Sequence, residues 1–75
     1  MQIEMRFFAV LRERAGRERE TFDVPPGSTA EQAFDLKFPG LALRVGYARN
    51  GAVCAGSTTL ADGDELALLP PIGGG

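Results

Sequence analysis

The residues best suited to chemistry in this sequence form one run, Pro70-Pro71-Ile72-Gly73-Gly74-Gly75. Glycine has no side chain to pack and loses much backbone entropy when it is fixed, so three in succession contribute little to a core. They offer instead a thin backbone that fits a narrow channel and leaves the Gly75 carboxylate open to activation and attack. Six residues extend about 20 Å, enough to enter another protein's active site. The alternative interpretation is an ordinary frayed terminus without a role.

The rest of the chain has little catalytic equipment. Histidine is absent, which removes the commonest general base and the commonest metal ligand. The segment Asp62-Gly63-Asp64 lacks the further oxygen ligands of a calcium loop and is typical of a turn. Cys54 is the single cysteine, and a buried structural thiol is favoured for it over a persulfide carrier. We therefore expect no active site, no metal and no bound cofactor within the chain itself.

Size and charge restrict the class of protein further. Seventy-five residues form one small domain, and the net charge of −2 argues against nucleic acid or an anionic membrane as partner. The arginines between positions 12 and 19 alternate with glutamates, which predicts a charge-balanced surface and not a phosphate site. The sequence shows no transmembrane run and no signal-peptide pattern, so we expect a cytoplasmic protein.

Alternating apolar residues and turn signals predict five strands and two helices. The strands are expected at Met1–Ala9, Glu20–Val24, Arg44–Arg49, Ala52–Ala55 and Glu65–Leu69. The helices are expected at Val10–Ala15, closed by Gly16, and at Thr29–Lys37, opened by a capping box of Ser28 and Glu31. Asn50-Gly51 predicts a tight type I′ hairpin, because both residues tolerate positive φ.

These elements predict an α+β fold: one mixed sheet with a helix across one face and the first and last strands adjacent in its centre. Alternation then places an apolar patch on the uncovered face, and such a patch is typical of a docking surface. It comprises Phe8, Ala67, Leu69 and, from the third strand, Tyr47. Pro70 and Pro71 fix φ and direct the following residues away from the sheet. We therefore divide the chain into a domain at 1–69 and a flexible tail at 70–75.

Several of these segments resemble the ubiquitin-like β-grasp fold and, more narrowly, the small subunit of molybdopterin synthase (the MoaD family). The resemblance rests on residues 6–9, residues 48–51, the turn at 60–65 and the ending Pro70-Pro71 with two spacers before Gly74-Gly75. Gly73 stands where that family more often has a small or hydroxyl-bearing residue. Tyr47 and Arg49 stand where smaller aliphatic residues are common in it.

The resemblance implies a sulfur carrier and not an independent enzyme. An adenylating enzyme related to ubiquitin activators would use ATP to activate Gly75, and a sulfur donor protein would convert the adenylate to a thiocarboxylate. Gly73 and Gly74 would give access to the carboxyl group. The large synthase subunit would receive the tail, in a heterotetramer, and pass the sulfur to a pterin during molybdenum cofactor synthesis. Phe8, Ala67, Leu69, Pro70 and Pro71 are the expected partner-binding residues.

Two other functions fit the same ending. A sulfur carrier for thiamine synthesis or tRNA thiolation would use the same adenylate and thiocarboxylate. A ubiquitin-like modifier would instead pass the activated Gly75 to lysines of other proteins. The proline pair and the Phe7-Phe8 opening favour the molybdopterin branch.

Overall fold

A computed structural model describes residues 1–70, which form one five-stranded sheet and two helices. The elements are β1 (Gln2–Phe7), α1 (Ala9–Ala15), β2 (Arg19–Asp23), α2 (Ala30–Lys37), β3 (Gly46–Arg49), β4 (Ala52–Cys54) and β5 (Glu65–Leu69). The predicted strands and helices are all present, with β3 starting two residues later than predicted. β1 ends at Phe7, two residues earlier than predicted, because Phe8 is the N-cap of α1 and Ala9 its first residue. The predictions for Pro71, Gly73, Gly74 and Gly75 lie outside the described residues.

The sheet has the strand order β2-β1-β5-β3-β4. β1 and β5 are parallel neighbours in its centre, and the other pairs are antiparallel. This confirms the predicted adjacency of the first and last strands. Because β5 lies between β1 and β3, its carboxyl end is held on both sides. The position where the tail begins is therefore fixed by the middle of the sheet.

The core lies between the sheet and α2, and period-two alternation explains its composition. Ile3, Met5 and Phe7 of β1 are buried, as are Leu66 and Leu68 of β5. α2 contributes Ala30, Ala33 and Phe34, all buried. The small alanines let the helix approach the sheet closely. Just after the helix, the Phe38 ring meets the Phe7 ring edge to face, with ring centroids 5.7 Å apart.

The start of α2 differs from the prediction by one residue. Thr29, not Ser28, is the N-cap: its hydroxyl accepts from the Gln32 backbone N–H at 3.3 Å, and the Gln32 side chain accepts from the Thr29 N–H at 2.9 Å. The predicted capping box of Ser28 and Glu31 is therefore wrong. Ser28 is buried and donates its hydroxyl to the Pro25 carbonyl at 2.7 Å, so it closes the preceding turn instead.

The glycines that close α1 and the β3–β4 hairpin behave as predicted. Gly16 caps α1 in the left-handed region with φ of 75°, and its N–H donates to the Arg12 carbonyl at 2.9 Å. Asn50 and Gly51 have φ of 50° and 85°, the positive pair that a type I′ hairpin needs.

Tyr47 lies on the opposite face from the one predicted. It pairs with Leu68 in register, and its side chain packs against the core beneath α2. The neighbouring Ala48, which pairs with Ala67, takes the uncovered face. Burial raises the pKa of the Tyr47 hydroxyl, and the carboxylates Glu31 and Asp35 add to the effect. Assigning Tyr47 to the docking patch was wrong.

Candidate tail-root docking site

The uncovered face of the sheet carries residues of two kinds. The part formed by β2, β1 and the first residue of β5 is charged: Arg19 reaches Glu4 at 2.6 Å and Glu65 at 3.9 Å, and Arg6 reaches Glu65 at 3.7 Å. Further along β5 and on β3, Ala67 and Ala48 lie side by side. The charged side chains neutralise one another, so this part of the face is not a basic surface. Arg12–Glu18 and Arg17–Glu20 pair in the same way, which confirms the predicted charge balance.

Three of the predicted partner-binding residues come together where β5 ends. Phe8 and Leu69 are half-buried, and Pro70 is exposed. All three line one small apolar hollow of about 50 Å³. We call this hollow, with its lining Phe8, Ala9, Val10, Leu11, Leu43, Arg44, Val45, Leu69 and Pro70, the tail-root hollow.

Ala67 takes the predicted face but is only 7% exposed. It lies between Arg6 of β1 and Ala48 of β3, whose strands flank it on both sides. A methyl group in the middle of a sheet presents little surface. Ala67 therefore adds only a small, flat apolar area beside the hollow. Its role in partner binding stays a prediction.

Six of the nine residues that line the tail-root hollow were not among the predicted partner-binding residues. Leu43 and Val45 lie in the irregular stretch before β3, and Val10, on α1, is 45% exposed. The signal was available: Leu41, Leu43 and Val45 alternate with polar or small residues, the pattern of a half-buried segment. The hollow therefore combines α1, the segment before β3 and the end of β5.

Arg6 partly covers the Phe8 ring. Its guanidinium carbon lies 5.4 Å from the ring centroid, a cation–π distance. Arg6 also pairs with Glu65, so the side chain that limits the exposure of Phe8 is itself held in place. A partner that docks on Phe8 must accommodate or displace this arginine.

A buried carboxylate fixes the start of β5, at the opposite end from the hollow. Asp64 accepts from Arg49 Nε at 2.6 Å, from the Ala61 backbone N–H at 2.7 Å and from the Asn50 side-chain amide at 3.0 Å. These donors, above all Arg49, lower the pKa of Asp64 to about 2. The side-chain oxygen of Asn50, Oδ1, accepts from the Glu65 backbone N–H at 2.9 Å. The hairpin turn is thereby tied to the turn that starts β5.

The Arg49–Asp64 pair also accounts for an unusual residue of the sequence. Arg49 stands where an aliphatic residue was expected, and its partner occupies the turn that precedes β5. Asp62 has a separate role in that turn, since its carboxylate accepts from the Gln2 N–H at 2.8 Å. Turn formation therefore explains both aspartates. Within residues 1–70, no cluster of three acidic or cysteine side chains is placed to hold a metal ion.

Cys54 is less buried than predicted. It pairs with Tyr47 at the edge of the sheet and is half-buried, with a free thiol. β4 is a three-residue edge strand, so its side chains are covered by a neighbouring strand on one side only.

Fold and site together define a ubiquitin-like β-grasp domain, and comparisons with known proteins agree. The crystal structure of SAMP1 from Haloferax volcanii superposes with a TM-score of 0.77 at 30% identity, covering 100% of both chains. A complex of subunits 1 and 2 of molybdopterin-converting factor from Helicobacter pylori contains a chain of similar fold. That chain superposes with a TM-score of 0.62 at 24% identity, over 100% of this protein and 100% of its own length.

Sequence comparison identifies the family. The ThiS family profile matches residues 5–75, so the chain belongs to the ThiS family. The molybdopterin synthase sulfur carrier subunit of Arabidopsis thaliana is 38% identical over 100% of this chain and 84% of its own length. Small archaeal modifier protein 1 of Haloferax volcanii is 36% identical over 97% of this chain and 100% of its own length. The resemblance found in the sequence is confirmed.

Within residues 1–70, no helix is long and apolar enough to cross a lipid bilayer.

Proposed function

We propose that this protein is the sulfur carrier subunit of a molybdopterin synthase, with Gly75 as the carrier residue. The observation that carries the proposal is sequence similarity to proteins of that name. The similarity extends over the whole chain, including the positions of the glycines. The family match runs to residue 75. The Chlamydomonas reinhardtii sulfur carrier subunit matches over 100% of both chains at 34% identity. Both matches therefore span the positions of the three glycines.

The proposed chemistry takes place on the carboxyl group of Gly75. Attack of the carboxylate on ATP, held by an E1-like adenylating enzyme, gives an acyl-adenylate and pyrophosphate. The terminal sulfur of a donor protein's persulfide then displaces AMP, and a thiol cleaves the resulting acyl disulfide to leave the thiocarboxylate. This chain would supply the reacting carboxyl group and no general base. The adenylating enzyme and the large subunit would supply the catalytic side chains, in the cytoplasm.

The tail-root hollow is the proposed contact with the large subunit. Its apolar lining lies directly at Leu69 and Pro70, so a partner that covers it would also receive the residues that follow. Removing apolar surface from water contributes a favourable free energy of about 25 cal/mol for each Å² buried. The Helicobacter pylori complex of subunits 1 and 2 supports a partner of this kind. We expect two copies of each chain in the assembly.

The test is reconstitution with a candidate large subunit. Size-exclusion chromatography of the mixture should show a lasting complex, and the thiocarboxylated form should convert the pterin precursor to its dithiolene product. Failure to form a complex, together with thiazole or thiouridine synthesis driven by the same thiocarboxylate, would assign the chain to thiamine or tRNA thiolation instead.

Protein modification is the second candidate function. It is favoured by the likeness to Haloferax volcanii small archaeal modifier protein 1, in sequence and over the whole structure. The activation step is shared, so the acceptor decides between the two. Incubation with the adenylating enzyme, ATP and cell extract should yield isopeptide-linked conjugates at lysines of other proteins only if this function operates.

Truncation of the hollow should separate binding from folding. Phe8→Ala and Leu69→Ala should each weaken the complex by about 2 kcal/mol, the usual cost of losing an interface anchor. Both side chains are half-buried, so the melting temperature should fall little. Phe7→Ala is the matched control: Phe7 is 2% exposed, and its truncation should cost about 3–5 kcal/mol of folding stability. Calorimetric titration and thermal melts measure the two effects. A steep loss of melting temperature in Phe8→Ala with unchanged binding would contradict the assignment.

A further inference from the structure

The protein has one lysine, Lys37, and neither described function uses it. Lys37 is the last residue of α2, where the negative end of the helix dipole favours a basic side chain. Lysines are ordinarily exposed, but the side chain of Lys37 is only 19% exposed. Its surroundings account for this difference.

Three groups hold the Lys37 ammonium. Both carboxylate oxygens of Glu20 accept from Nζ at 2.8 Å. The centroid of the Phe22 ring lies 5.5 Å from Nζ, and that of Phe7 lies 5.8 Å away. Glu20 is itself only 21% exposed. The ammonium is thus bound by one carboxylate and flanked by two aromatic rings, in a site that solvent reaches poorly.

Lys37 lies close to the origin of the tail. Phe7, which flanks its ammonium, pairs with Leu68, two residues before Pro70. A chain of six residues, 70–75, has a reach of about 20 Å. An accessible amine at this position would therefore meet an activated Gly75 carbonyl of its own chain at a high effective concentration.

The other primary amine is also engaged. The Met1 ammonium donates to the Val24 carbonyl at 2.8 Å and lies 3.4 Å from the Asp23 carboxylate. Arginine guanidinium groups stay protonated and are poor nucleophiles. The remaining basic side chains of the sequence are all arginines.

We infer that Lys37 is held in this site so that the protein cannot acylate itself or another copy of itself. An amine that attacks the activated Gly75 carbonyl forms an amide bond, expels AMP or a thiolate, and releases a proton to solvent. For Lys37 this attack requires that Nζ first leave Glu20 and both rings. The activated carboxyl group is thereby reserved for nucleophiles on other molecules. If the chain modifies proteins, it attaches as a single unit and does not form lysine-linked chains of itself. The inference rests on activation of Gly75, as proposed above.

The reactivity of Lys37 can be measured without any activation. Arg14→Lys places a second lysine at an exposed position of α1 with the same charge. In this folded variant, an acetyl N-hydroxysuccinimide ester should label Lys37 at least about tenfold more slowly than the introduced lysine, because an ion pair and two cation–π contacts oppose its release. Glu20→Gln should raise the Lys37 rate severalfold. Peptide mass spectrometry measures the rates, and equal labelling of the two lysines would overturn the inference.

The second experiment uses a C-terminal thioester of the chain, made chemically. The wild-type thioester should react with added free lysine but give no cyclised or dimeric amide, whereas the Arg14→Lys thioester should give both. An amide at Lys37 of the wild type would overturn the inference. Neither experiment depends on a sulfur donor or a large subunit, so failure of the proposed sulfur-carrier function would leave both results unchanged.

Discussion

Incubation with an adenylating enzyme, ATP and a persulfide donor should exchange one oxygen of this protein for sulfur. The expected site is the carboxyl group of Gly75, because the glycines before it place no side chain near the carbonyl carbon. Intact mass spectrometry detects the exchange. Deleting Gly75, or extending the chain beyond it, should abolish the product entirely, since the reacting carboxyl group is then removed or tied up in a peptide bond.

Cys54→Ser is the matched control for that experiment. Cys54 is the other position where sulfur could be carried, and its thiol is free and half-buried. The serine variant should gain sulfur at the same rate as the wild type. If sulfur resides on Cys54, or if the serine variant loses the exchange, the carrier assignment to Gly75 is wrong.

Replacing Asp64 by asparagine should cause the largest loss of stability among changes outside the apolar core. The buried carboxylate accepts from three different residues, and Asp64→Asn leaves their donors, Arg49 above all, without a charged acceptor. Such a loss costs about 1–3 kcal/mol. For a domain of this size each kcal/mol corresponds to about 4–8 °C in melting temperature. Asp62→Asn, in the same turn, keeps its acceptor oxygen for Gln2 and should cost less than about 0.5 kcal/mol.

The stabilisation by Asp64 should depend on pH in a defined direction. The folded state lowers the pKa of Asp64 from 3.8 to about 2, so folding favours the ionised form. Its contribution is therefore complete above about pH 4 and is lost as the pH falls through about 2. In urea titrations, the stability gap between wild type and Asp64→Asn should be constant from pH 7 to 5 and shrink from pH 4 downward. A gap that widens on acidification would contradict the assigned network.

Much of this fold was determined by local sequence, for identifiable reasons. The alternation of Ile3, Met5 and Phe7 fixes both the strand and its buried face, because side chains in a strand point to opposite sides with period two. Gly16 and Asn50-Gly51 fix turns, because few other residues adopt positive φ without strain. The order of these elements predicted the α+β sheet with β1 and β5 in its centre, whereas the resemblance to the family came from the motifs at residues 6–9, 48–51 and 60–65 and from the Pro-Pro-x-x-Gly-Gly ending.

Other features were decided by contacts between distant segments. Serine is by itself the better N-cap, but the Ser28 hydroxyl donates to the Pro25 carbonyl, so Thr29 caps the helix instead. β3 is only four residues long, and pairing with β5 sets its register. A shift of one residue exchanges the faces of a strand, which is why Tyr47 was placed on the wrong side.

Local sequence patterns were enough to predict the strands and helices, the apolar residues Phe8 and Leu69, and the glycines that carry the proposed chemistry. The surroundings of these residues depend on contacts between segments that are distant in the sequence. The tail-root hollow needs Val10, Leu43 and Val45 beside Leu69, and the site of Lys37 needs Glu20 from a strand distant in sequence. The alternation of Leu41, Leu43 and Val45 indicates a half-buried segment, but no local pattern shows which distant side chains such a segment contacts. The pairing of β3 with β5 brings the segment before β3 beside Leu69, and the pairing of β1 with β2 places Glu20 on the sheet next to β1.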